Sequence, residues 1–111
     1  INIESILESY DIFYASIITL MEVYGYNFKN KEELKLIDTL FENIEIIDID
    51  LSIAQKVIDY RSNGKKKIKL PDAIILASAN IVSANLITDD WDDFEGIDST
   101  VPIIKIDNYK L

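Results

Sequence analysis

Residues 68–79, Ile-Lys-Leu-Pro-Asp-Ala-Ile-Ile-Leu-Ala-Ser-Ala, and the Leu-Ile-Thr that follows at 86–88 decide the fold class. Pro71 suits the first turn of a helix, where a missing N–H has no intrahelical partner to lose. The segment behind it is apolar on most sides (Ala73, Ile74, Ile75, Leu76, Ala77, Ile81, Val82), so it predicts a buried helix reaching about Ala84. Leu86–Thr88 then reads as a short strand. A buried helix feeding a short apolar strand is the repeating unit of an α/β fold.

The chain repeats that alternation on both sides. Ile3, Ile6 and Leu7 have helical spacing, Ile12–Ser16 reads as a buried strand, and a helix runs from about Ile17 to Tyr26. Lys31–Asn43 predicts a helix with Leu34, Ile37, Leu40 and Phe41 on one face. Ile44–Ile49 is β-branched and predicts a strand. Asp50 suits the N-cap of a helix carrying Ala54, Val57 and Ile58, with Gly64 at its C′ position. Downstream, Asp89, Asp90, Trp91, Asp92, Asp93 and Phe94 form an acidic loop, and a last strand covers about Pro102–Ile106. The expectation is one α/β domain over residues 1–111, a parallel sheet flanked by helices.

Composition narrows the chemistry. At 111 residues and 49% hydrophobic content the chain supports one core and is not a disordered chain. It has no Cys and no His, which excludes disulfides, thiolate sites, His-ligated zinc and His-based acid/base catalysis. Any metal must be held by oxygen, which favours Mg²⁺, Mn²⁺ or Ca²⁺. No apolar run reaches the length of a membrane span and no signal peptide is visible, so the cytoplasm is the expected compartment. The net charge of −9, from 20 acidic and 11 basic residues, repels nucleic acid at long range. It suits a basic partner, or acids gathered around an ion that reverses the local field.

Three places put carboxylates beside strong structural signals. Glu22 lies in a helix that follows a buried strand, near the strand's carboxyl end, where open α/β sheets build their sites. A capping box with Thr19, or a solvated helical Glu, is the plain alternative. Asp72 opens the apolar helix, and complementing the helix dipole would suffice to explain it. The run from Asp89 to Asp93 is either a solvated turn or a pair of ligands, Asp90 and Asp93, at a strand-to-loop junction. It lacks the Gly and bidentate Glu of an EF-hand. Lys65, Lys66, Lys67 and Lys69 form a basic cluster that reads as a solvated loop.

Three stretches together resemble the PIN domain of VapC-type toxin ribonucleases. These are Tyr14-Ala-Ser-Ile-Ile-Thr-Leu-Met-Glu-Val-Tyr-Gly-Tyr26, then Ile68–Ala79, then Asn85-Leu-Ile-Thr-Asp-Asp-Trp-Asp-Asp-Phe94, in the family's order and over nearly the whole chain. The resemblance implies a metal-dependent endoribonuclease, the toxin of a toxin–antitoxin pair. It implies Glu22, Asp72 and Asp90 as catalytic metal ligands, Asp93 as an additional acid, and supporting roles for Thr88 and Ser16. It further implies Mg²⁺ or Mn²⁺, an RNA substrate, a basic antitoxin and a homodimer. Asp89 and Asp92 match no functional position. The family opens on a strand ending in a ligand Asp, whereas this chain opens on Ile1, so a truncated N-terminus, one ligand fewer and a gap or rearranged pairing in the sheet are expected. If the acids share a site, they should cluster within about 4–9 Å. A non-catalytic PIN-like protein-binding module is the alternative function, and an α/β phosphotransfer domain is a third.

Overall fold

Side chains suited to end-capping start most of the longer helices. In a computed structural model that describes residues 3–106, α1 covers Ile3–Ser9 and β1 covers Tyr14–Ser16. Ser16 then caps α2 (Ile17–Tyr24), its hydroxyl accepting from the Ile18 N–H at 3.2 Å. Asn30 does the same for α3 (Lys31–Glu42), accepting from Glu32 N–H at 2.8 Å. After β2 (Glu45–Ile47), Asp50 caps α4 (Leu51–Asn63) by accepting from Ile53 N–H at 2.9 Å. Each such bond satisfies one of the orphan donors of a helix start, and losing one costs about 1 kcal/mol. Helix α5 (Leu70–Ile81) has no side-chain cap and relies on Pro71 in its first turn. Strand β3 (Leu86–Thr88), the four-residue α6 (Trp91–Phe94) and β4 (Ile103–Lys105) complete the order.

All strand pairing among the described residues is parallel, as the alternation predicts. It falls into two pairs: β1 with β2 in the register Tyr14↔Glu45, Ala15↔Ile46, Ser16↔Ile47, and β3 with β4 in the register Leu86↔Ile103, Ile87↔Ile104, Thr88↔Lys105. Among the described residues the two pairs are not hydrogen-bonded to each other. Helix α5 bridges the two halves, packing on α4, α2, β1 and α6. Its Ala73, Ile74, Leu76, Ala77 and Ala79 join Ile53, Val57 and Tyr60 of α4 and Leu86, Phe94 and Val101 in one core. Burial of each Leu or Ile there is worth about 1.5–3 kcal/mol. No helix among the described residues is long and apolar enough to cross a membrane.

Several expectations need correcting. Strands β1 and β2 are shorter than the apolar runs that predict them, and α2 ends at Tyr24 rather than Tyr26. Helix α5 stops at Ile81, three residues early, where Ser83 turns into a left-handed conformation with φ 55°. Leu40 and Ile58 are exposed rather than facing the core. The acidic loop contains the turn of helix α6. Gly64 is extended (φ −72°, ψ 145°) instead of closing α4 in a left-handed conformation.

Candidate metal-binding site

Of the acids singled out from the sequence, Asp72 enters a helix and Asp90 follows a strand, while Glu22 and Asp93 lie within helices. Glu22 lies on α2, directly behind β1, with its side chain exposed. Asp72 is in the first turn of α5 and half-buried. Asp90 follows the carboxyl end of β3, and Asp93 lies within α6. Helix α5 packs against both α2 and α6.

The electrostatics link these acids. The Asp72 carboxyl is pushed above its ordinary value by burial first, then by Asp93, with Glu22 and Asp90 adding to the rise and Lys69 opposing it. One acid therefore feels the charge of the other three. Asp90 is also raised, by a hydrogen bond shared with Asp93, by desolvation, and by the charges of Asp93, Asp89 and Asp92. Crowded carboxylates resist ionisation unless a cation joins them.

The plain alternatives fare unequally. Ser16 caps α2 and Thr19 lies inside it, so Thr19 and Glu22 form no capping box. Asp90 stands at the N-cap position of α6 yet makes no capping hydrogen bond. Its backbone N–H instead donates to Thr88 Oγ1 at 2.9 Å. Ser16 is buried and shapes the β1–α2 turn ahead of Glu22. Asp89 and Asp92 are exposed, as expected.

Two expectations change. Among the described residues no group of three or more acids is arranged to hold an ion as it stands, so the tight cluster is not preassembled. Electrostatic reach is longer than coordination reach, which reconciles the two observations. Second, Lys66 lies in the exposed basic loop but is partly buried and hydrogen-bonded. Its Nζ donates to the backbone carbonyls of Asp92 and of Glu95, the latter at 2.9 Å.

A hard divalent cation fits this donor set. All four side chains offer carboxylate oxygen, and the raised Asp72 and Asp90 mark a region of unbalanced negative charge. The concavities elsewhere do not compete: one of about 730 Å³ is lined by Gln55, Tyr60, Asn80, Asp98 and Thr100 and by none of the four acids.

With this geometry in view, the family profile of the PIN domain matches residues 1–99. The chain belongs to the PIN-domain family. A solved structure described as a toxin-antitoxin complex from Klebsiella pneumoniae is similar to this PIN domain, with 36% sequence identity and a TM-score of 0.68. The similarity covers 88% of this chain and 79% of that one. No curated protein matches the chain.

Proposed function

We propose that this PIN-domain protein is a metal-dependent endoribonuclease, the toxin of a VapC-type toxin–antitoxin pair. The observation that carries the reading is the upward shift of Asp72, caused first by burial and then by the charges of Asp93, Glu22 and Asp90. Acids from α2, α5 and the β3–α6 junction share one electrostatic environment at the carboxyl ends of parallel strands, where α/β folds place their chemistry. Family membership and the likeness to a toxin-antitoxin complex support the same reading.

Glu22, Asp72, Asp90 and Asp93 would hold Mg²⁺ or Mn²⁺. A bound ion of this kind supplies Lewis acidity, lowering the pKa of a water and offsetting charge on the phosphate. The chain's own residues do the rest. The carboxylates of Glu22, Asp72, Asp90 and Asp93 that would hold the ion could also accept a hydrogen bond from the attacking water and so orient it. Thr88 fixes the backbone at Asp90, and Ser16 fixes the start of the helix that carries Glu22. The net charge of −9 favours a basic antitoxin as partner. A homodimer and a cytoplasmic location belong to the same reading.

The alternative is a non-catalytic PIN-like module that binds a partner protein. The absence of a preassembled three-acid group among the described residues favours it. The deciding experiment incubates the protein with a mixed RNA pool in Mn²⁺ or Mg²⁺. Cleavage that stops on EDTA addition and falls at least about 100-fold in Asp90→Asn is expected, the scale on which losing catalytic metal assistance slows phosphodiester hydrolysis. No cleavage in either ion, with no saturable metal binding, would favour the protein-binding module.

A further inference from the structure

Lys66 is the one member of the basic cluster whose side chain is committed to a long-range hydrogen bond in the structure. It sits in the segment joining α4 to α5, half-buried between the exposed Lys65 and Lys67. Its Nζ reaches across to α6 and donates to the carbonyls of Asp92 and Glu95. These carbonyls belong to the C-terminal end of a short helix, where acceptors lack intrahelical donors and the dipole favours a cation. Besides Lys66, the helix is held by Phe94, buried in the core, and by the bond from Asp90 N–H to Thr88 Oγ1. It is one turn long, with Glu95 N–H donating to Trp91 O at 3.0 Å and Asp93 N–H to Asp90 O at 3.3 Å. A single turn is marginal without tertiary support.

We infer that Lys66 is a positioning residue that fixes the acidic turn carrying Asp90 and Asp93 relative to the α5 start carrying Asp72. The inference rests on the metal-site reading above and adds to it the device that sets the spacing of its ligands. Lys66 lies six residues before Asp72, so its bonds tie the two ligand-bearing segments to each other. Ligands held by an outer contact of this kind bind metal more tightly, and loss of such contacts costs about 10–100-fold in affinity.

The test compares wild type with Lys66→Met, which keeps the aliphatic stem, and Lys66→Arg, which keeps a donor fork and the charge. Amide hydrogen exchange of the metal-free proteins reads the turn directly. Mn²⁺ titration followed by the fluorescence of Trp91, the single tryptophan, reads ion binding. Expected in Lys66→Met are faster exchange at Asp93 and Glu95 by about tenfold, the scale of a charge-assisted hydrogen bond, and an Mn²⁺ half-saturation raised by roughly tenfold. Exchange in α5 should be unchanged, and Lys66→Arg should recover most of both effects. Unchanged exchange at Asp93 and Glu95 in Lys66→Met would overturn the positioning role and leave the nuclease reading standing. So would faster exchange with an unaltered Mn²⁺ half-saturation. A wild type with no saturable response to Mn²⁺ would overturn the nuclease reading, and the positioning role with it.

Discussion

Thr88 Oγ1 accepts a hydrogen bond from the Asp90 backbone N–H at 2.9 Å. The same residue's carbonyl accepts from Ile106 N–H at 2.9 Å, extending the β3–β4 ladder by one rung. Thr88 is therefore tied to the sheet by its main chain and to the acidic turn by its side chain. The turn inherits its position from the sheet, and Asp90, which caps no helix, keeps its carboxyl directed to its acidic neighbours.

Thr88→Val keeps the side-chain shape and removes the acceptor. We expect a stability loss of about 1 kcal/mol, with weaker Mn²⁺ binding as the larger consequence, since the ligand and not the core loses its support. Thr88→Ser should retain both. The measurement is a chemical melt beside an Mn²⁺ titration, and a Val variant with wild-type ion affinity would remove Thr88 from the site.

Asp72 yields a prediction about pH. Its carboxyl is raised by burial and by neighbouring acids, so the folded state holds the proton more tightly than the unfolded state. Its contribution to stability is complete below the unfolded pKa and is lost as pH rises through the folded value. At neutral pH and without metal, ionised Asp72 is a burden. A first-turn dipole favours the charge by about 0.3–1 kcal/mol, so the slope with pH is the better readout than one melting point. In EDTA, Asp72→Asn should lose less stability than wild type between acid and neutral pH. In Mn²⁺ the order should reverse, with wild type gaining more, because an ion bound only by the folded state stabilises it. Parallel pH curves for the two proteins in EDTA would contradict the shift.

Much of this was legible in the residues. Period and capping chemistry located α3, α4 and β3 within a residue or two, because Asp50 and Asn43 sit where local hydrogen bonding ends a helix. The acids Glu22, Asp72, Asp90 and Asp93 were legible as candidates, yet only packing of α5 against α2 and α6 brings them together. Three features were not legible. The early end of α5 depends on Ser83 entering a conformation that its neighbours, not its own propensity, select. The exposure of Leu40 depends on what packs on α3, and an amphipathic pattern alone does not say that a partner face is present. Lys66 was unreadable as a tether because both its acceptors are main-chain carbonyls 26 and 29 residues away, which carry no side-chain signature.

Gly64 is retained for space rather than for a left-handed turn. A Cβ there would stand 2.4 Å from the Tyr60 backbone oxygen, and main chain within a helix cannot yield as a flexible side chain does. Gly64→Ala should cost about 1–3 kcal/mol, as overpacking does. Because Gly64 lies two residues before Lys66, the variant should also disturb the acidic turn, visible as an altered Trp91 emission. An Ala variant that melts like wild type would show that the α4 end relaxes at little cost.

Asp98 offers the opposite pH behaviour, away from the acids of the site. Burial alone would raise its carboxyl, but hydrogen bonds from Thr100, Tyr60 and Asn80 outweigh that and hold it below the usual value. The Asn80 Nδ2 donates at 3.0 Å, the Thr100 hydroxyl at 2.6 Å and the Thr100 N–H at 3.0 Å, with the Tyr60 hydroxyl as the fourth donor. The charge is thus shared by α4, α5 and the loop before β4, and it pushes the Tyr60 phenol well above its ordinary pKa through burial and the Asp98 contact. A depressed carboxyl stabilises the fold above its unfolded pKa, and that stability is lost as pH falls through the folded one. Tyr60→Phe should therefore cost about 1.5–3 kcal/mol at pH 7, the range for a hydrogen bond to a charged group. Asp98→Asn should lose stability too, since its amide would face donors, and the deficit should narrow as pH drops below about 4, the ordinary range of an aspartate. The two changes touch one contact, so the double variant should cost less than the sum of the singles. Mn²⁺ half-saturation should stay within about twofold of wild type in both, as neither residue meets the four acids. Strictly additive losses, or a deficit for Asp98→Asn that does not narrow in acid, would show that the shared charge is not what holds these three elements together.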